Sequence, residues 1–366
     1  MILILLLLCV GLLILIPQLL MQRFGYHELS YSIAFSQPEA QEGDTITLTE
    51  TICSRKLLPL PWVKAELTTH ASLVFAASQS ATSEDTRFMS SYFCLFPYRK
   101  IERHWKVTCT KRGVFTVSHA VIVLSDLFGV REISRPFPDA TAELTVLPAC
   151  RNIALPETFP QQLMGDIIRR RSLIPDRFAV SGIRPYADGD PVRDICWSAS
   201  ARTELPMVWQ YQETAMPSLT VLLNMETRET DRLTASDHAA LENEIRLCAA
   251  CLHAAHAQRM PVRFCANTEI DGMPAETGFH SGSGALLQTL RMLAAIPDTI
   301  TMRCEKMLKQ IRSQDSAAAL LLITAQPTDA IMQTADRDPL LTVISLRPLR
   351  DSEHRPNVRH IPINLQ

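Results

Sequence analysis

Neither sign of charge predominates in this chain. Its 366 residues hold 36 Lys and Arg against 38 Asp and Glu, a formal net charge of −2. That balance removes any global pull toward nucleic acid or an acidic membrane surface. A disulfide framework is missing too. The ten cysteines are scattered through apolar contexts such as Cys109, Cys196 and Cys265, the pattern of buried thiols in a reducing compartment. No nucleophile stands beside a recognisable base, and no cofactor-binding signature is present, so catalysis and cofactors have no sequence support. What remains is an ordinary folded composition, 47% hydrophobic and 20% charged, with room for two domains.

The N-terminus is marked by absences as well. From Ile2 to Met21 no residue is charged, and Ile2 to Ile16 is almost entirely Leu, Ile, Val and Cys. A run of about 20 such residues is long enough to cross a hydrocarbon core as a helix. A cleaved signal peptide would carry a basic start and a small-x-small cleavage site, and neither is seen. Residues 1–22 therefore read as a retained single-pass anchor. Arg23, just past it, favours that end inside and leaves the bulk of the chain cytoplasmic, at the cytoplasmic (inner) membrane.

Residues 26–148 read as strands. Ile46 to Thr49, Val63 to Leu67 and Trp105 to Cys109 alternate, and Val117 to Leu124 forms a longer run. Glu42-Gly43-Asp44, the prolines of Leu58-Pro59-Leu60-Pro61, and Lys111-Arg112-Gly113 supply the turns. Short strands at this spacing predict a small β-sandwich. Lys111 and Arg112 read as the solvated basics of a hairpin, with contact to anionic lipid as the alternative.

Residues 149–214 read as a polar connector. It contains Arg169-Arg170-Arg171, but residues 165–204 hold seven basic and six acidic side chains, which argues against a phosphate-binding stripe. From 215 to 366 the rhythm changes. Strands at 218–223, 261–266, 317–324 and 341–346 alternate with helices at 237–258, 284–295, 301–312 and 329–334, the pattern of a mostly parallel α/β sheet. Ligands in such sheets sit beyond the carboxyl ends of strands, which directs attention to 224–228. Cys248-x-x-Cys251 with His253 and His256 falls inside the first of these helices. There the thiols share a face with Leu241 and Ile245 while the imidazoles lie on the flank, so one helix cannot gather all four around an ion.

The densest polar stretch is Ser181 to Arg202. Asp188-Gly189 signals a turn, and Pro191 biases Asp190 toward extended backbone. Arg184, Arg193 and Arg202 offer planar forks for Asp190 and Asp194, and Tyr186 and Trp197 offer ring faces for guanidinium stacking. The expectation is an Arg–Asp–Trp lattice that locks the connector to the α/β domain, part of which also forms a partner-binding surface. Cys196 has no candidate base nearby.

The pattern Arg184-x-Tyr186-x-x-Gly189-Asp190-x-x-Arg193-x-Ile195-x-Trp197-x-x-Ser200-Ala201-Arg202, followed about 16 residues later by an apolar strand, resembles the signature of the bacterial "domain of unknown function 58" family. Leu58-Pro59-Leu60-Pro61-Trp62-Val63, Lys111-Arg112-Gly113 and Ser125-Asp126-Leu127-Phe128-Gly129 extend the resemblance upstream, while Pro185 and Cys196 depart from the family's usual residues. The resemblance implies an α+β two-domain chain: a transmembrane helix, a β-sandwich, and an α/β domain similar to von Willebrand factor type A domains. It also implies partnership with a MoxR-type AAA+ ATPase, alongside a transglutaminase-like membrane protein. With the anchor and the missing catalytic set, the expectation is a non-enzymatic adaptor in assembly or maturation of envelope proteins. A metal-dependent or hydrolytic enzyme using the 184–202 motif or the 224–228 loop is the alternative. Von Willebrand-type metal sites place Asp-x-Ser-x-Ser after the first strand. Here Asn224-x-Glu226-x-Arg228 stands in its place, and a cation at Arg228 would repel a bound ion. A metal-free, degenerate loop is the expectation.

Overall fold

The computed structural model describes residues 15–76, 80–83, 85–126, 131–149, 162–167, 180–211, 218–228, 230–315, 318–349 and 355–361. The chain divides into two compact units, Met1–Ala149 and Cys150–Gln366.

The first unit begins with a helix over 15–24 (α1). Twelve strands follow: β1 Leu29–Phe35, β2 Glu39–Gln41, β3 Thr45–Ser54, β4 Leu60–His70, β5 Leu73–Phe75, β6 Ser80–Ser83, β7 Thr86–Leu95, β8 Lys100–Cys109, β9 Gly113–Val117, β10 His119–Ser125, β11 Glu132–Pro136 and β12 Ala142–Leu147. They form sheets ordered β1-β3-β8-β5, β11-β10-β4-β7-β6 and β2-β12-β9, a sandwich-like arrangement. Alternation decides which side is dry. In β3 every second residue is buried, including Leu48 and Ile52, and Ala65, Leu67, Met89 and Ile122 meet them from the other sheet. Glu50 is an acid in this core, fully buried. It accepts hydrogen bonds from Tyr31 (2.7 Å), Ser91 (2.7 Å) and Trp105 (2.6 Å), which join β1 and β8 to β7 of the facing sheet. Burial and the neighbouring Glu50 charge push the Tyr31 phenol far up.

Two expectations are corrected here. The run Val117 to Leu124 is two strands, because the chain breaks at Ser118. β9 pairs with β12 while β10 pairs with β4 and β11. The polar start of the run marks the point where the chain changes sheets. Arg112 is buried, not solvated. The turn it belongs to is closed by Gly113 at φ +151, where an added Cβ would meet the Phe115 ring at 2.9 Å. The anchor expected over 1–22 falls mostly on residues 1–14, outside the described residues. Among the described residues no helix is long and apolar enough to cross a membrane.

The second unit opens with a helical turn over 162–167 (α2). β13 Val180–Pro185 pairs antiparallel with β14 Met207–Tyr211, and between them lie a 3-10 turn, Val192–Asp194, and α3 Trp197–Thr203. The expected connector is thus a folded hairpin from 180 to 211, while Arg169-Arg170-Arg171 lies outside the described residues. Then come β15 Leu219–Leu223, α4 His238–Ala257, β16 Val262–Ile270, β17 Met273–Glu276, α5 Ser283–Ala295, α6 Cys304–Gln314, β18 Ala319–Thr324, α7 Asp329–Arg337, β19 Leu341–Ser345 and β20 Val358–His360. They build one sheet ordered β17-β16-β15-β18-β19-β20. All neighbours are parallel except β17, which returns antiparallel on β16. Every residue of β15, β18 and β19 is buried, as parallel strands covered on both faces must be. Strand order reverses between β15 and β18, which places a switch-point crevice beyond Leu223 and Thr324.

Candidate functional site

Two places carry the polar residues singled out by the sequence, and the structure treats them differently. The first is the hairpin. Arg184 donates through both terminal nitrogens to Asp190, each at 2.7 Å, and Asp190 also accepts from the Ala187 amide at 2.9 Å. The Arg184 guanidinium first, and then that amide, hold the Asp190 carboxyl below its ordinary range. Gly189, at φ +104, makes the reversal between them. Ser200 has a joining role: its hydroxyl donates to the Cys196 carbonyl (2.9 Å) and accepts from the Met207 amide (2.8 Å), pinning α3 to β14. Tyr186 is held through its backbone, the amide donating to Pro206 at 2.9 Å. The Cys196 side chain is buried, its thiol 3.4 Å from the Ser198 hydroxyl.

The expected lattice therefore forms only in part. Among the described residues neither Arg193 nor Arg202 makes an ion pair, and both are exposed. Trp197 is 71% exposed. The guanidinium–ring contacts of the described residues lie in the first unit instead, at Arg103 over Phe93 and Trp105 and at Arg135 over Tyr26. A seven-residue helix flanked by short strands has too little breadth to cover a tryptophan, so Trp197 faces solvent while Tyr186 is half-buried.

The second place is the crevice beyond β15 and β18, where Asn224, Glu226 and Asn267 are engaged with one another and with their neighbours. Asn224 donates to the Thr324 hydroxyl at 3.0 Å, and its carbonyl oxygen accepts from the Glu226 amide (3.1 Å) and from Asn267 (3.2 Å). Asn267 also accepts from the Met225 amide at 2.6 Å. Glu226 turns inward, accepting from the Cys304 amide at 3.0 Å and facing Arg303 at 3.0 Å. Burial nevertheless raises its carboxyl above the ordinary value. The cation set against Glu226 is Arg303 and not Arg228, which is exposed and contributes its backbone amide to Asp231.

Asp231, Asp237, Glu244, Asn267, Arg303 and Arg347 were not picked out by motif. One Asp231 oxygen accepts from the Thr227 amide (3.0 Å), the Thr227 hydroxyl (2.7 Å), the Arg228 amide (3.0 Å) and the Ser236 amide (3.2 Å). Burial pushes its carboxyl up, but donors at Ser236, Thr227 and Arg228 outweigh it and hold the group low. Asp237 caps α4 through the Ala240 amide (3.1 Å) and receives Arg347 at 2.8 Å. That amide first, and Arg347 against the cost of burial, keep it low. Only the Asp237 cap had a legible signal, a carboxylate just before an apolar-periodic run. Beneath them on α4, Glu244 is wholly buried with neither oxygen hydrogen-bonded. Burial raises its carboxyl well above the ordinary range, and the pull of the Ala325 amide and of Arg347 does not offset this.

Among the described residues no group of three or more His, Cys, Asp or Glu is arranged to hold a metal ion. The oxygens of Asn224 and Glu226 already have protein partners, and Arg303 sets a fixed cation 3.0 Å from Glu226. The residues present do not fit a bound cation here. Cys248 and Cys251 are fully buried in α4 while His253 and His256 are half-buried on its flank.

Residues 182–345, which run from the hairpin to the end of β19, match the family described as "Protein of unknown function DUF58". This segment belongs to DUF58. The match covers the hairpin pattern and both strands that flank the crevice, whereas the upstream stretches at 58–63, 111–113 and 125–129 lie outside it. No curated protein matches the chain. Similar solved structures include a non-cellulosomal cohesin from the archaeon Archaeoglobus fulgidus, with 11% identity over 32% of this chain and 91% of that one, at a TM-score of 0.23. The CARDB domain of the PF1109 protein from Pyrococcus furiosus gives 10% identity over 32% and 93%, at 0.23. Spo0M, a sporulation control protein from Bacillus subtilis, gives 9% over 43% and 58%, at 0.20. At such scores these likenesses carry no argument about the DUF58 segment or the rest of the chain.

Proposed function

We propose that this chain is a membrane-anchored, non-enzymatic adaptor that presents its DUF58 segment to a MoxR-type AAA+ ATPase during assembly or maturation of envelope proteins. The observation that carries the reading is the outer face of the hairpin. Val192, Trp197 and Leu205 are exposed there, with Arg193 and Arg202 unpaired among the described residues. A lone exposed apolar residue needs no explanation, but a tryptophan with apolar and arginine neighbours has the composition of an interface hot spot. The family pattern lies on this same element. Support against an enzymatic role comes from the crevice, where the 224–228 loop spends its Asn224 and Glu226 on Asn267, Thr324, Cys304 and Arg303.

In this reading residues 1–22 form the single-pass anchor in the cytoplasmic membrane, with both units on the cytoplasmic side. The α/β sheet is a von Willebrand factor type A-like domain without its metal, a reading supported by the switch point and the antiparallel edge strand β17. A transglutaminase-like membrane protein is the further partner. Cross-linking in native membranes tests the docking surface. Wild type is expected to recover an AAA+ ATPase, and Trp197→Ala with Arg193→Ala to lose most of it while staying folded. Equal recovery by the variant would remove the hairpin from the interface.

A further inference from the structure

One end of the sandwich carries three connections zipped side by side: residues 25–28 after α1, 55–59 between β3 and β4, and 96–99 between β7 and β8. The Arg55 amide donates to Glu28 at 3.0 Å, the Tyr98 amide to Lys56 at 3.3 Å and the Ser54 amide to Arg99 at 2.9 Å. Lys56 is buried, and its ammonium donates to the carbonyls of Phe24 (2.9 Å) and Gly25, groups that the end of α1 leaves without helical partners. Met21 reaches into the sandwich core from the same turn. The last turn of α1 is therefore clamped to this end of the unit.

What this end shows to solvent is unusual for a polar loop cluster. Leu57 is 76% exposed, Tyr98 67% and Phe96 64%. Tyr98 also holds a left-handed backbone, φ +54, which an aromatic residue rarely adopts. The face of α1 that carries Leu15, Ile16, Leu19 and Leu20 is exposed as well. Between α1 and the loops lies an apolar groove of about 410 Å³, lined by Pro17, Leu20, Met21, Leu58, Pro59 and Phe96 among others. Arg55 and Arg99 are exposed within these segments, and Arg23 is exposed on the last turn of α1 just before them.

We propose that this end of the sandwich is seated in the headgroup region of a bilayer containing anionic lipid, with Leu57, Phe96 and Tyr98 at the acyl boundary and Arg23, Arg55 and Arg99 among the phosphates. The inference rests on the anchor reading above and extends it from a tether to a docked face. Two observations select lipid as the occupant. The uncharged run from Ile2 to Met21 continues directly into the helix clamped here, so the chain leaves for the membrane at this spot. Exposed aromatic and leucine side chains with exposed arginines in the same and adjoining stretches are also the composition of a membrane–water interface.

The test uses the full chain reconstituted into vesicles of phosphatidylcholine and phosphatidylglycerol. A Phe96→Trp variant adds one fluorophore at an exposed position, and wild-type emission is subtracted. Lipids brominated near the headgroup should quench the added emission roughly twofold or more, as for a ring about 5–10 Å into the headgroup–acyl boundary. Flotation after carbonate extraction separates the possible failures. A chain that does not float overturns the anchor and this inference with it. A chain that floats while the added tryptophan is quenched by aqueous iodide and not by brominated lipid overturns the inference alone. Shielding from both quenchers places a protein on this face and overturns the lipid assignment.

Discussion

Glu244 lies on α4 with both carboxyl oxygens buried and without a hydrogen bond, so its proton is held in the folded chain far more tightly than in the unfolded one. Its folded value stands well above the ordinary 4.5. The stability that this implies is complete below the unfolded value and is lost as pH rises toward the folded one. Burial raises Glu226 in the same sense. Asp231 and Asp237 are held low, so their contributions are lost only in acid. Wild type is expected to lose thermal stability as pH rises above the ordinary carboxylate range, and Glu244→Gln to flatten that slope. A melting series that shows the same slope in both proteins would mean that Glu244 is ionised when folded. Asp231 gives the opposite kind of prediction. Asp231→Ala strands the Thr227, Arg228 and Ser236 donors, at a cost on the order of 3 kcal/mol, measurable as a lower urea midpoint.

At the scale of elements, the hairpin from β13 to β14 is held by few groups, and each is checkable. Asp190→Asn removes the charge that takes both Arg184 nitrogens. The turn at 187–190 is expected to open, with faster tryptic cleavage after Arg193 and an unchanged melting temperature, because the pair is partly exposed. An unchanged cleavage pattern would show that Ser200 and the strand pairing suffice. The junction of α1 with the sandwich is tighter. A Cβ on Gly25 would lie 2.3 Å from the Met21 carbonyl, a distance no side chain tolerates. Gly25→Ala should therefore loosen the last turn of α1, seen as faster amide exchange at position 25 and at Leu29, whereas Gly165→Ala, with open space at its Cβ, should not.

At the scale of the whole molecule, each unit has its own apolar core: the sandwich around Leu48, Ile52 and Ile122, and the parallel sheet around Leu222, Leu322 and Val343. Leu322→Ala is expected to cost about 2–5 kcal/mol and to speed amide exchange along β15, β18 and β19 while β3 and β4 keep their protection. Spreading of the effect into the sandwich would contradict separate cores.

Periodicity alone determined a good deal. Alternation over Ile46 to Thr49 and Val63 to Leu67 named strands of the sandwich, because one wet face and one dry face force a period of two. The apolar runs at 218–223, 317–324 and 341–346 named β15, β18 and β19, because a strand buried on both faces has no polar side to show. The pattern from Arg184 to Arg202 named the family. Tertiary structure decided the rest, since a side chain's partner is set by distance in space. Arg303 reaches Glu226 and Arg347 reaches Asp237 across 77 and 110 positions of sequence, separations that no local pattern encodes. It also decided against the lattice first read into that central pattern: Arg184 and Asp190 meet across a turn closed by Gly189, while Arg193, Trp197 and Arg202 face outward, because a short helix on a two-stranded hairpin has no second layer to bury them.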